Sequence, residues 1–264
     1  MKITKNRLTV ECQSFFVLVK MQESYYNRVI IIIGRCVKMD NNQRRDNGMV
    51  YISDEAVFEQ QKTARRLTYR MNTMDTSDFE GIAEVVRELF GKCGKNVMVN
   101  PPFRCDYGKN IEVGDNFFCN YNCVILDCNK ITIGDNCLFA PNVSIYAAGH
   151  PIHPACRNTG YEYASEIHIG NNVWIGGNSI ICPGVTIGDN AVIGAGSVVT
   201  KDIPSWTVAA GNPCRVIREI TDDDIEFYFK NNKFDDEAFC HMKQIWSEYP
   251  DNIKFPFRND LSNQ

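Results

Sequence analysis

From residue 97 onward, one apolar position recurs every sixth residue. Val113, Cys119 and Ile125 open the series, and Ile133, Phe139 and Ile145 continue it after a slip of two residues at Asp127–Cys128–Asn129. The beat returns at Ile169, Ile175, Ile181, Ile187, Ile193 and Val199, with Gly, Asp and Asn filling the intervals. A period of six with turn formers between the apolar positions is the mark of a hexapeptide parallel β-helix, in which each unit is one short strand and one turn. Three units per turn make these twelve positions about four turns of coil, enough stacked repeats for stability. Cys119 falls in the inward column, so it reads as core filler rather than as a metal ligand. Such a coil is filled by its own side chains, which leaves chemistry to surface grooves and to interruptions. The one long interruption lies between Ile145 and Ile169. It carries Ala148-Gly149-His150-Pro151-Ile152-His153-Pro154, and the loop is predicted to span 146–166.

The flanks follow other patterns. Ser53-Asp54-Glu55 can cap a helix that begins at Ala56-Val57-Phe58, and Asp78 precedes Ile82, Val85, Val86, Leu89 and Phe90, which share one helical face. Gly91 and Gly94 are expected to end that second helix as C-cap glycines. Residues 39–95 thus read as a helical segment too small to bury a core alone, which packs on the solenoid at 96–218. The stretch 219–264 opens on Thr221-Asp222-Asp223-Asp224, is rich in aromatic residues, and is predicted to be a helical tail. Residues 1–38 hold two apolar bursts, Phe15–Val19 and Val29–Ile33. They read as a poorly ordered extension, with Met39 as a possible working start. Their basic leading residues lack the cleavage site of a targeting peptide.

Composition narrows the class. The chain has 264 residues, a formal net charge of −4, 12 Cys and four His. A mildly acidic balance without a Lys/Arg block gives no reason to expect nucleic-acid binding. Neither apolar burst approaches the roughly 18 residues that suggest a membrane span. Cysteines scattered without paired short spacings indicate reduced thiols and a cytoplasmic protein.

Five landmarks then identify a resemblance. Pro101-Pro102-Phe103-Arg104-Cys105-Asp106-Tyr107-Gly108, Asn116-Phe117-Phe118-Cys119-Asn120, Gly149-His150-Pro151, Asn172-Val173-Trp174-Ile175-Gly176 and Gly211-Asn212-Pro213-Cys214-Arg215-Val216-Ile217 resemble, in order and spacing, the maltose and galactoside O-acetyltransferases. The match runs from about Gly48 to Ile220. It implies a mainly β fold, a left-handed parallel β-helix with an N-terminal helical hairpin, to which the C-terminal helical tail read from 219–264 is added. It also implies a homotrimer, acetyl-CoA as co-substrate and a sugar hydroxyl as acceptor; no metal is expected, and charge and run length already give no reason to expect a nucleic-acid or membrane partner.

The resemblance also assigns residues. His150 matches the family's general base, suited to taking a proton from an alcohol that is otherwise a poor nucleophile. Asn120 matches a sugar-binding asparagine. Asp106 falls where maltose enzymes have aspartate and galactoside enzymes serine. Asp127 matches the family's leucine–aspartate pair and is expected to bind the acceptor, although Asp106 and Asp127 also read as turn-forming carboxylates of the coil. Cys128 departs from the second aspartate of the galactoside enzymes, so galactoside preference does not carry over. Glu162 matches a loop glutamate near the acceptor. On the donor side, Gly177, Ala195, Thr200, Lys201, Arg215 and Arg218 match CoA-contacting positions, with Trp174 flanking the groove. Lys201, Arg215 and Arg218 are the residue types that meet phosphates.

Other classes compete. A zinc enzyme on the same solenoid needs three converging histidines, and only His150, His153 and His168 fall in the coil region. A non-catalytic scaffold would need neither the loop histidine nor the donor positions. Another acyltransferase of the hexapeptide class, acting on a xenobiotic or serine-like acceptor, is the nearest alternative.

Overall fold

The computed structural model describes residues 15–20, 29–34 and 39–248. From Lys92 to Ala210 the chain winds as a three-sided coil of parallel strands. Lys92–Cys93, Ile111–Val113, Ile131–Ile133, Ile167–Ile169 and Thr186–Ile187 stack on the first face. The second face runs from Met98–Val99 through Trp174–Ile175 to Thr207–Ala210, with Arg215–Glu219 added antiparallel. The third runs from Phe103–Cys105 to Val198–Val199. The sixfold column becomes three stacks, one per face: Val113, Ile133, Ile169 and Ile187; Cys119, Phe139, Ile175 and Ile193; and Ile125, Ile145, Ile181 and Val199. All twelve side chains are buried. A further coil precedes them, with Cys93, Val99 and Cys105 paired below Val113, Cys119 and Ile125.

The corners are held by side-chain ladders. Asn96, Asn116, Asn136, Asn172 and Asn190 all adopt left-handed backbone angles, φ 55–61°, which asparagine tolerates better than other non-glycine residues. Their amides bond in series, each Nδ2 to the next Oδ1, at 3.0, 2.8, 3.0 and 2.8 Å. Beside them Asp115, Asp135, Asn171 and Asp189 each accept from the backbone N–H one coil below. Each such bond contributes on the order of 1 kcal/mol.

The N-terminal helices close the first end. Helix α1 spans Asn41–Asp46, α2 Glu55–Asn72 and α3 Phe79–Leu89. Asp54 caps α2 through Val57 N at 3.1 Å, and Asp78 caps α3 through Gly81 N at 3.0 Å, satisfying donors that a helix start leaves open. Ala64, Leu67 and Met71 of α2 and Ile82, Val85, Val86 and Leu89 of α3 join the solenoid core. Asn72 makes a reciprocal pair with Phe103, Nδ2 to O and N to Oδ1, both 2.9 Å. It thus stands in for a strand at an otherwise open edge.

Three expectations change. Helix α3 ends on Phe90 in an extended conformation, and neither Gly91 nor Gly94 takes a left-handed angle. They are required by proximity, since a Cβ on Gly91 would lie 2.1 Å from the Lys109 carbonyl oxygen. The two apolar bursts, expected in a poorly ordered extension, are strands Phe15–Lys20 and Val29–Gly34, paired antiparallel over their full length. The rest of 1–38 lies outside the described residues. The tail reaches its helix, Asp236–Glu248, only after an antiparallel pair, Phe227–Phe229 with Asn232–Lys233, that a purely helical reading omits. Helix α4 is the single turn Pro154–Arg157 in the loop, and residues beyond 248 lie outside the description. Among the described residues, no helix is long and apolar enough to cross a membrane, and all ten cysteines are free thiols.

Candidate active site

The interruption leaves the coil after Ala147 and returns at Ser165, whose N–H bonds the Ala147 carbonyl at 2.9 Å. Its outgoing arm, Ala148–Gly149, pairs with its returning arm, Tyr161–Ala164, and that arm pairs with Tyr51–Ile52 from the segment ahead of α2. The result is a three-stranded sheet that ties the loop to the N-terminal cap. Gly149 lies beneath the Tyr163 ring, where a Cβ would come within 2.5 Å of the ring's Cζ and hydroxyl oxygen. His150 follows directly and is exposed. His153 has a structural part: its Nδ1 accepts from Ala155 N at 3.2 Å and caps α4. That contact assigns the ring proton to Nε2 when the ring is neutral. His168 lies on the first face, against Thr132 and Glu166. The described residues contain no group of three or more His, Cys, Asp or Glu side chains placed to hold a metal.

The slip at Asp127–Cys128–Asn129 forms the floor under the loop. Asp127 is fully buried. Its Oδ1 accepts from Asp106 N and Tyr107 N at 3.0 and 2.8 Å, and its Oδ2 from Asn110 N at 3.3 Å. Burial pushes its carboxyl up to about 7 despite these donors. Direct acceptor contact, expected for Asp127, is not what this geometry offers; the residue turns the corner that presents Asp106. Asp106 is half-buried and accepts from the Cys128 thiol at 3.2 Å. Burial raises its pKa, the thiol and Arg65 oppose that rise, and the charge of Glu162 adds to it. The Glu162 carboxylate is thus close enough for its charge to be felt at Asp106. Glu162 accepts from the buried Tyr51 hydroxyl at 3.2 Å. Asn120 lies half-buried after the strand Phe118–Cys119, with Oδ1 accepting from Tyr121 N at 2.8 Å.

Sequence reasoning missed Tyr51 and Tyr163 and saw Cys128 only as a departure. Tyr51, Val57, Tyr107, Cys128 and Ala164 form a second small core under the loop. The apolar triplet Val50-Tyr51-Ile52 just before the Asp54 cap was the available signal for its strand.

The positions expected to meet the donor lie on later coils. Trp174 sits on the second face between Leu138 and Val192 and is half exposed. Gly177 and Ala195 occupy equivalent corners of successive coils, joined by Gly196 N to Gly177 O at 2.8 Å. A Cβ on Gly177 would lie 3.1 Å from the Pro141 carbonyl oxygen, so the corner stays shallow. Thr200 and Lys201 are exposed at the next corner, and Arg215 is exposed at the start of the antiparallel strand. Arg218 departs from expectation as a free cation. Its Nη1 and Nη2 grip Asp224 Oδ2 and Oδ1, both at 2.7 Å, and this bidentate pair holds the Asp224 carboxyl below its usual range.

Residues 45–94 match the maltose acetyltransferase hexapeptide capping motif, and residues 166–201 the bacterial transferase hexapeptide of six repeats. The galactoside O-acetyltransferase of Escherichia coli K12 is 50% identical over 179 residues, 68% of this chain and 88% of that protein. The crystal structure of a maltose O-acetyltransferase from Clostridium difficile 630 superposes with a TM-score of 0.69 at 52% identity, covering 70% of this chain and 99% of that one. A galactoside acetyltransferase in complex with coenzyme A gives 0.73 at 47% identity, covering 75% and 100%. With half of the aligned residues identical to a relative covered over 88% of its length, the chain belongs to the maltose and galactoside O-acetyltransferase family of hexapeptide-repeat acyltransferases.

Proposed function

We propose that the protein transfers an acetyl group from acetyl-CoA to a hydroxyl of a sugar, directly and with His150 as general base. The observation that carries this reading is the loop sheet, which ties the arm bearing His150 to the arm bearing Glu162, with Asp106 below. The half-buried carboxylates suit the binding of sugar hydroxyls, since an ionised carboxylate only accepts hydrogen bonds. Once acceptor and donor are bound together, the acceptor oxygen attacks the thioester carbonyl carbon while His150 takes its proton. The tetrahedral intermediate collapses, the C–S bond breaks, and the imidazolium returns the proton to the departing sulfur. No acyl-enzyme forms. Gly177 and Ala195 leave room for the pantetheine arm along the coil, and Lys201 and Arg215 meet the phosphates.

A homotrimer with sites between neighbouring coils fits the second face. Met98, Phe118, Leu138, Trp174, Val192 and Val208 share one outward row there, and Met98, Leu138 and Trp174 are exposed. A continuous apolar stripe of this kind marks an interaction surface. Sedimentation equilibrium should give about three times the 30.0 kDa chain mass; a fully active monomer would overturn the assembly. The function is tested by thiol release from acetyl-CoA against glucosides, maltose, galactosides, serine and hydroxylated antibiotics. Release stimulated by sugars supports the reading, and release stimulated only by the other acceptors rejects the sugar.

A further inference from the structure

The chemistry above leaves Tyr51 without a part, yet few side chains are placed with more constraint. The returning arm, Tyr161–Ala164, is the middle strand of the loop sheet, between the arm that leads into His150 and the strand Tyr51–Ile52. Tyr51 and Glu162 are direct partners in that register, and the Tyr51 hydroxyl donates to Glu162 Oε2 at 3.2 Å. The Tyr51 side chain is fully buried. A buried hydroxyl deprived of its partner costs about 1–3 kcal/mol, so the phenol and the carboxylate fix each other. Burial and the neighbouring Cys128 and Glu162 push the phenol pKa up, which keeps it a donor throughout the working pH range.

The strand is itself anchored. Ile52 N donates to Asn41 Oδ1 at 3.1 Å, Asn41 Nδ2 donates to Asp54 Oδ2 at 2.7 Å, and Asp54 Oδ1 caps α2. A displacement of Glu162 would therefore strain a chain of contacts ending in a helix of the cap, whose Ala64, Leu67 and Met71 lie in the solenoid core. By contrast, the loop tip from 152 to 161 is exposed throughout.

We infer that Tyr51 is a positioning residue for the acceptor: its hydroxyl fixes one oxygen of Glu162, leaves Oε1 to take a sugar hydroxyl, and holds the returning arm at a set distance from His150. This inference rests on the acceptor-side reading of Glu162. Tyr51→Phe keeps the ring, its burial and the strand, and removes one donor. The acceptor KM should rise roughly tenfold, as for loss of a hydrogen bond to a charged group, while the acetyl-CoA KM stays unchanged. In a Glu162→Ala background the same substitution should change acceptor KM by less than about twofold, because the two groups act through one contact. Equal losses in both backgrounds, or parallel changes in both KM values, would overturn it. Hydrogen exchange gives a readout that needs no substrate. Amides of residues 150–163 should exchange roughly fivefold faster in Tyr51→Phe, with the coil unaffected, and unchanged loop exchange would also overturn the inference. A wild-type protein inactive on every sugar would sink the proposed function, and the exchange result would then decide the case of Tyr51 alone.

Discussion

The proposed acceptor side and the proposed donor side of the site are built from different materials. Around the proposed acceptor position, Tyr51, Asp106, Cys128 and Glu162 come from four separate segments and meet through side chains that are buried or half-buried. On the donor side, Gly177, Ala195, Thr200 and Lys201 come from successive corners of one repeat, and their surface is mostly backbone and small side chains. A repeat can present the same groove coil after coil, but it cannot gather unlike groups at one point. That takes an interruption, a slip and a strand borrowed from the cap.

Substitutions can separate the two sides. The largest effect is expected for His150→Ala, which should lower kcat by about 10²–10⁴ while acetyl-CoA affinity, measured by calorimetry, stays within a few-fold. Full turnover in that variant would remove the assigned base. Next comes Asp127, whose folded-state pKa of about 7 lies above the ordinary carboxylate value of 3.8. Between those values the folded protein holds a proton that the unfolded chain releases. Its contribution is thus fully present below about pH 4 and is lost as pH rises toward 7, by about 1.4 kcal/mol per pH unit. The stability difference between Asp127→Asn and wild type, from urea unfolding at a series of pH values, should shift in the variant's favour by that slope. A pH-independent difference would mean that the carboxylate is ionised in the fold.

Smaller effects belong to the donor side. Lys201→Ala and Arg215→Ala should each raise the acetyl-CoA KM about tenfold, in line with loss of a charge-assisted hydrogen bond, and leave acceptor KM in place. Arg218→Ala should change it least, within about twofold, because Asp224 already occupies that guanidinium. If Arg218→Ala matches Arg215→Ala, the ion pair opens for the donor.

The same division explains what could be read before any coordinates. The core column was legible residue by residue, since a sixfold period has only one way to point into a coil. The loop histidine stood out because it broke that period. Asp127 was misread because sequence shows a carboxylate beside an acceptor motif but not which way the corner turns it; its oxygens face the backbone of Asp106, Tyr107 and Asn110. Tyr51 was invisible for a related reason. It lies 111 positions from Glu162, and no local pattern announces a cross-strand partner at that distance. Arg218 matched a cation position, and only the fold revealed the carboxylate six residues on.

The bond from Ser165 N to the Ala147 carbonyl closes the loop at its root, and the strands on either side of it keep the register of uninterrupted coils. The scaffold therefore does not register how long the insertion is, because closing a longer surface loop costs little more than closing a short one. For protein engineering the transferable unit is then not the loop by itself. Grafted onto another hexapeptide coil, 148–164 would lack the strand at 51–52 against which its returning arm is paired. The portable cassette is bipartite, and the smaller half precedes the larger by about a hundred residues.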